Sequence, residues 1–290
     1  MVISNGRHSD SVVSVLFLAD FFSDQINGGG ENNDAVLIAD LRQRGISVEK
    51  VHCQAVTADQ LRAADTVIVS NFVTLASTHR EYITDNCDYI IYEHDHKYVT
   101  TRDPSKFVNF MIPPQHIINK TFYHRARKVI VLSEICKTVM ENNLGNTNVH
   151  SIGSSLWSKE KFTFLRECPK NKTKGVAVID SSNPTKGRAA AIATCEKKSI
   201  DFDLISSPDQ YEFLKILSEY KTLLFVPQVL ETFCRLIAEA KMLECQVYTN
   251  GKLIGMMSEP FAQQSGPELI ETLEGQVTSA LDYFYELVKK

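Results

Sequence analysis

The sequence has few glycines and no long apolar run. Glycine accounts for 13 of 290 residues, a share below the usual value of about 7%. No apolar run approaches the roughly 20 residues needed to cross a bilayer, and the opening segment MVISNGRHSDS has no apolar signal core. We therefore expect neither a membrane-spanning helix nor a secretory leader.

The spacing of the cysteines argues against two further classes of protein, those with a zinc knuckle and those held by a disulfide framework. The seven cysteines are scattered, odd in number and never spaced as CxxC. Such a pattern indicates neither a zinc knuckle nor a disulfide framework. The sequence predicts a protein of a reducing cytoplasm.

The net charge is small, but it is unevenly distributed. Thirty-one basic residues against 35 acidic ones give −4, which does not indicate a nucleic-acid or membrane-surface protein as a whole. Residues 97–128 nevertheless carry seven basic side chains and one acidic one, interleaved with aromatic residues. This segment suits an anionic partner such as DNA or lipid headgroups. An ordinary solvated face is the alternative.

Apolar runs of strand length alternate with helical patterns, which is typical of parallel βαβ units. The runs cover residues 12–18, 48–53, 66–70, 89–92 and 128–132 in the first half, and 175–179, 202–205, 222–226 and 246–249 in the second.

We predict an α/β protein with two Rossmann-like domains, over residues 1–155 and 175–265. Residues 156–174 are the expected linker. The helical pattern of residues 266–290 is expected either to pack back on the first domain or to form an edge helix. No oligomeric state is predicted.

Three consecutive glycines follow the first predicted strand. Gly28, Gly29 and Gly30 would let the backbone approach a ligand, and the next helix would present its N-terminal N–H groups to a phosphate. The segment is neither GxGxxG nor a Walker loop, so it indicates no dinucleotide or P-loop site. A flexible surface turn is the alternative.

Two glutamates flank the start of a predicted helix in ETFCRLIAE. Glu231 and Glu239 lie eight positions apart, near one helix face, and could hold hydroxyls at two points of a polyol. Thr232 could cap the helix, and the amides of Thr232 and Phe233 could bind an anion between the two carboxylates. This arrangement would fit a nucleotide sugar. Glutamates on a solvated helix are the alternative.

A third polar segment ends the YIIY strand. Glu93, His94, Asp95 and His96 follow Tyr92 directly, at the sheet edge where open α/β proteins bind ligands. The two histidines alternate on an extended chain, so one of them could face a cleft. A metal site and a structural histidine are the competing interpretations. We predict no metal site.

Together, in this order, these segments resemble the retaining GT-B glycosyltransferases of the glycogen-synthase-like superfamily. The resemblance runs over nearly the whole chain, and it also suggests a compact phage-type member that would act in the host cytoplasm. Its motifs are NGGGE, EHD, ARKVIVLSEICKTVMENNL, PTKG and ETFCRLIAEAKMLECQVYTNG. It implies a GT-B fold, in which two Rossmann-like domains face each other across a cleft.

The resemblance also implies roles for individual residues. His94 would lie beside the transferred sugar, Lys186 would neutralise the diphosphate, Glu231 would hold donor hydroxyls and Glu239 the ribose. The remaining expected donor contacts are Gly29, Gly30, Arg188, Thr232, Phe233 and Arg235. The expected acceptor contacts are Glu31, His96, Lys97, Arg102 and Lys106. A nucleotide-diphosphate sugar is the implied co-substrate, with no obligatory metal and no assigned general base.

One departure from the family pattern concerns the leaving group. The family has an arginine five residues before the lysine, whereas this chain has Ser181. Arg188 and Arg235 are candidates to replace that charge. Two functions follow: an active transferase that acts on a hydroxyl of a glycan, a lipid or a hydroxymethylated DNA base, or a degenerate protein that binds nucleotide sugars or a partner without turnover.

Overall fold

The computed structural model describes residues 14–145 and 148–289. A six-stranded parallel sheet with strand order β2-β1-β3-β4-β5-β6 forms the first domain. Its strands are β1 (Ser14–Ala19), β2 (Ser47–His52), β3 (Thr66–Val69), β4 (Tyr89–Tyr92), β5 (Lys128–Val131) and β6 (Val149–Ser151). Residues 12 and 13 of the first predicted strand lie outside the described part, and β6 is an addition to the five predicted strands.

Five helices accompany this sheet, and each of them buries at least one apolar side chain. They are α1 (Gly29–Gln43), α2 (Ala58–Ala63), α3 (Ser77–Asn86), α4 (Lys120–Arg125) and α5 (Glu134–Leu144). Strands β3 and β4 are buried along their whole length, as expected for a parallel sheet covered on both faces.

A four-stranded parallel sheet with strand order β10-β9-β7-β8 forms the second domain. Its strands are β7 (Lys174–Ile179), β8 (Phe202–Ile205), β9 (Tyr220–Phe225) and β10 (Gln246–Thr249). The helices of this half are α6 (Lys159–Glu167), α7 (Arg188–Lys197), α8 (Gln210–Ser218), α9 (Arg235–Met242) and α10 (Gly266–Lys289). The α/β architecture predicted from the sequence is thereby confirmed.

The segment expected to be a linker is folded. Helix α6 occupies its centre, and Trp157, Phe162 and Leu165 are buried in the main apolar core. The polar, lysine-rich composition of this segment is typical of a linker, and only Phe162 and Leu165, about one helical turn apart, are fully buried among the apolar residues of α6.

Helix α10 connects the two halves. Near its start, Glu274 forms an ion pair with Arg166 of α6. Near its end, the Phe284 ring packs edge-on against Tyr92 of β4, with 4.9 Å between ring centroids. The helix therefore packs back on the first domain. No helix in the described ranges is both long and apolar enough to cross a membrane.

Candidate active site in the cleft

The carboxyl ends of the two sheets face a cavity of about 510 Å³ that both domains line. Hydrogen bonds cross between the domains at its edge: the Thr232 hydroxyl donates to the His94 carbonyl oxygen (3.0 Å), and the Leu230 N–H donates to Asp103 (3.2 Å). The predicted site residues that line the cavity are Gly29, Gly30, His94, His96, Arg102, Lys186, Glu231, Thr232, Phe233, Arg235 and Glu239. Glu31, Lys97, Lys106 and Arg188 are not part of its lining.

Lys186 and Glu231 form an ion pair within the cavity, with 2.8 Å between Nζ and Oε1. Gly187 places the lysine: its φ is +69°, and a Cβ at this position would lie 1.7 Å from the carbonyl oxygen of Val226. Burial alone would lower the pKa of the Lys186 ammonium, but the Glu231 carboxylate outweighs it and the pKa is raised. The lysine therefore stays charged.

The N-terminus of α9 lies between the two glutamates. The helix begins at Arg235, with Cys234 as its N-cap residue and no side-chain cap. Thr232 does not cap the helix, because it lies two residues before the N-cap position, and its hydroxyl donates to the His94 carbonyl oxygen. Within the described ranges, the amides of Thr232, Phe233 and Cys234 donate to no acceptor. These free N–H groups at a helix end are suited to bind an anion.

Arg235 supplies a second cation to the cavity. Its guanidinium donates to Asn33 Oδ1 (3.1 Å) and to the carbonyl oxygen of Leu156, and it lies 4.7 Å from the ring centroid of Trp157. Burial lowers the pKa of this guanidinium, and Glu239 partly opposes that effect. Arginine remains charged under such a shift because the ordinary pKa of a guanidinium lies far above neutral pH.

The other proposed replacement cation, Arg188, points elsewhere. It pairs with Asp180 at 2.7 Å and is about two-fifths exposed. Ser181, at the position where the resemblance implies an arginine, lines the cavity. The geometry therefore favours Arg235 over Arg188 as the second positive charge.

Glu239 is oriented by a residue that the sequence analysis did not identify. The indole N–H of Trp157 donates to Glu239 Oε1 at 2.9 Å. A hydrogen bond to an ionised acceptor is stronger than a neutral one, so the carboxylate is held with its second oxygen available. Trp157 is the only tryptophan of the chain. A single tryptophan in a polar segment draws attention to itself, but the sequence does not indicate that its hydrogen-bond partner is Glu239.

His94 is held by a second unpredicted residue. Its Nε2 lies 3.0 Å from Oδ1 of Asp34, a fully buried carboxylate on α1. The other Asp34 oxygen accepts a hydrogen bond from Ser70 (2.7 Å). The sequence gives a hint of this residue, because Asp34 lies one helical turn after Gly30 and therefore shares its helix face.

Lys97 belongs to a buried charge cluster rather than to the cavity lining. Its Nζ lies 2.5 Å from Glu93 and 2.7 Å from Asp95, and its side chain is 3% exposed. Glu93 also accepts a hydrogen bond from Tyr123. Burial alone would raise the pKa of both carboxyls, but Lys97 outweighs it and their pKa values are lowered. A charge count cannot separate such a lysine from a surface one.

The other expected acceptor residues divide into two groups. His96 lines the cavity but is buried, with its Nδ1 3.3 Å from the Tyr98 hydroxyl, and burial lowers its pKa. Arg102 lines the cavity and pairs with Asp95 at 3.1 Å. Glu31 is half-buried outside the lining, and burial raises its pKa. Lys106 is exposed away from the cavity.

The basic segment is largely neutralised in three dimensions. Four of its seven cations pair with carboxylates that lie outside it: Lys97 with Glu93 and Asp95, Arg102 with Asp95, Arg125 with Asp85, and Arg127 with Asp88. The segment therefore presents less positive charge than its sequence suggests. Among the residues that the structure describes, no cluster of three or more histidine, cysteine, aspartate or glutamate side chains could hold a metal ion.

No protein-family model and no curated protein sequence matches this chain. Solved structures do match, at low identity. HepE from Anabaena, in complex with UDP and glucose, aligns with a TM-score of 0.50 at 15% identity, covering 95% of this chain and 92% of HepE. Sucrose-phosphate synthase from Thermosynechococcus elongatus aligns with a TM-score of 0.58 at 11% identity, covering 96% and 92%.

A third match is an alpha-glucosyltransferase in complex with UDP and a 13-mer DNA containing a central A:G mismatch. It aligns with a TM-score of 0.51 at 10% identity, covering 93% of this chain and 90% of that one. The three alignments cover nearly all of this chain, so they extend over both domains and both parallel sheets. This chain has the GT-B fold.

Proposed function

We propose that this protein is a glycosyltransferase that moves a sugar from a nucleotide-diphosphate sugar to an acceptor hydroxyl, with retention of configuration. The observation that carries the proposal is the order of groups along one cavity. Glu231 precedes α9 and pairs with Lys186, whereas Glu239 lies within α9, 3.7 Å from Arg235. The free amides at the start of α9 lie between these two pairs along the chain. These groups match the hydroxyls, diphosphate and ribose of such a donor.

Each of these groups has a role in the proposed reaction. Glu231 accepts hydrogen bonds from hydroxyls of the transferred sugar, and Glu239 accepts those of the ribose. Negative charge grows on the diphosphate as the glycosidic bond breaks, and Lys186, Arg235 and the helix amides stabilise that charge. The acceptor hydroxyl attacks from the face that the leaving group vacates and passes its proton to the departing diphosphate, and attack on that face gives retention.

The proposed donor is a UDP-sugar or a related nucleotide sugar. Similarity in fold to HepE, whose structure contains UDP and glucose, supports this choice, as does the alpha-glucosyltransferase bound to UDP. The acceptor hydroxyl belongs to a glycan, a lipid or a modified DNA base. DNA is supported by the DNA-bound alpha-glucosyltransferase, whereas the neutralised basic segment weakens that option.

The decisive test is the Lys186→Ala variant, assayed for sugar transfer and for slow donor hydrolysis with UDP-, GDP- and ADP-sugars. Loss of a preorganised cation at the leaving group should lower turnover by about 10²-fold or more. Arg188→Ala is the matched control, because this nearby cation pairs with Asp180 outside the cavity, and it should keep nearly full activity.

Two results would contradict the proposal. Full activity of Lys186→Ala would remove the lysine from the reaction. Nucleotide-sugar binding by the wild type, detected by thermal shift, without any release of nucleotide diphosphate would favour the degenerate binding protein.

A further inference from the structure

The buried pair of Asp34 and His94 leaves one polar atom without a partner. His94 Nε2 is 3.0 Å from Asp34 Oδ1, and the side chains are 4% and 1% exposed. His94 Nδ1 is also buried, and it has no hydrogen-bond partner in the part of the chain that the structure describes. Buried polar atoms are nearly always paired, so this nitrogen calls for an explanation.

Hydrogen bonding determines which nitrogen of His94 carries the proton. The Ser70 hydroxyl donates to Asp34 Oδ2, as expected of an ionised carboxylate, which only accepts. With Asp34 ionised, its Oδ1 likewise has no proton to donate, so His94 Nε2 is the donor of the 3.0 Å hydrogen bond. In the neutral imidazole this leaves Nδ1 with a free lone pair, ready to accept a hydrogen bond.

Packing fixes the orientation of the ring. A Cβ at Gly30 would lie only 3.3 Å from the Cγ and Cδ2 atoms of His94, so the missing side chain at this glycine leaves the space that the imidazole occupies. The Tyr92 ring lies on another side, with 4.2 Å between the ring centroids. His94 is thus held in one orientation while lining the proposed donor cavity.

We propose that Asp34 is a positioning residue, which fixes His94 in the Nε2–H tautomer so that Nδ1 accepts a hydrogen bond from a sugar hydroxyl. The inference rests on the proposed function, because a nucleotide sugar supplies that hydroxyl. It assigns to Asp34 an effect on turnover without contact to the substrate. His94 receives a hydrogen bond and removes no proton in this role.

The test is the Asp34→Asn variant. An amide can donate its own N–H to His94 Nε2, which favours the opposite tautomer and places the proton on Nδ1. Protein labelled with ¹⁵N-histidine reports the protonation of each ring nitrogen by NMR. We expect an unprotonated Nδ1 in the wild type, a protonated Nδ1 in Asp34→Asn, and at least a tenfold fall of kcat/KM in the variant.

Ser70→Ala is the matched control, because it removes the other hydrogen bond of Asp34 but keeps the carboxylate. It should retain the wild-type tautomer and turnover within about threefold of wild type. A general packing defect would instead impair both variants equally. A second measurement follows the Nδ1 resonance of the wild type during titration, first with UDP and then with UDP-glucose, and only the sugar-bearing ligand should shift it.

The outcomes separate this inference from the proposed function. A wild type without transfer or hydrolysis would contradict the function, while the tautomer and its response to Asp34→Asn would still report on the pair. A protonated Nδ1 in the wild type, wild-type turnover in Asp34→Asn, or identical spectra with UDP and UDP-glucose would each overturn the inference.

Discussion

Cys234 adopts a backbone conformation that favours glycine. Its φ is +74°, it is the N-cap residue of α9, and its side chain is buried against the cavity. A residue with a Cβ is strained in this region, by roughly 1–2 kcal/mol. The chain therefore tolerates strain beside its proposed diphosphate site.

We expect Cys234→Gly to be more stable than Cys234→Ala by about 1 kcal/mol, because only glycine removes the Cβ strain. The alanine variant is the reference, since both substitutions lose the buried thiol. Urea unfolding gives the two free energies of unfolding. Equal stability of the two variants would mean that the conformation at this position carries no strain.

At the scale of single residues, the sequence pointed to motif side chains that line the cavity, but not to the residues that support them. Glu231, Glu239 and Lys186 lie in short segments whose order along the chain is informative. The contact between Asp34 and His94 joins positions 60 residues apart, and the i, i+4 spacing within α1 does not reveal how that helix lies relative to the turn after β4. No local pattern encodes such a distance.

At the scale of elements, the turn after β4 contains the charge cluster of Glu93, Asp95 and Lys97, and it also lines part of the cavity. Glu93 and Asp95 have lowered pKa values because Lys97 outweighs the effect of burial. Carboxyl groups with a lowered folded-state pKa stabilise the fold above their unfolded pKa of about 4, and that stability is lost as the pH falls through the folded value. The cluster should thus stabilise this turn at neutral pH and weaken in acid.

Lys97→Met should destabilise the protein by about 3 kcal/mol at pH 7, because it leaves two carboxylates without their buried cation. Without the lysine, burial raises the pKa of Glu93, so this carboxyl takes up a proton on folding and the deficit should shrink at pH 5. Urea unfolding at the two pH values measures this. Arg102→Met, which removes the half-exposed partner of Asp95, should cost less than about 1 kcal/mol. A deficit for Lys97→Met that does not depend on pH would contradict the cluster as the cause.

The strands and most helices were easier to predict from the sequence than the segments between them. The strands stand out as apolar runs because a doubly covered parallel sheet buries every side chain of strands such as β3 and β4. Helix α6 was not predicted, because it is short and buries only Phe162 and Leu165 among its apolar residues, so its composition is that of a linker.

At the scale of the whole molecule, α10 joins two domains that could otherwise unfold separately. It contacts α6 and α9 in the second half and α1 in the first. Phe284, which is fully buried, packs against Tyr92 at the end of the strand that leads to His94. The cavity depends on both domains, so this helix supports the geometry of the proposed active site from behind.

Phe284→Ala should therefore cost about 3 to 5 kcal/mol and uncouple the two domains. Far-UV circular dichroism follows the whole chain during urea unfolding, and the fluorescence of Trp157, the single tryptophan, follows the cleft. The two transitions should coincide in the wild type and separate in the variant. Asp282→Ala, which removes an exposed ion pair between the same helix and Arg44, should leave them coincident and cost less than about 1 kcal/mol. Coincident transitions in Phe284→Ala would mean that the hydrogen bonds across the cleft, such as that from Thr232 to His94, are enough to make the two domains unfold as one unit.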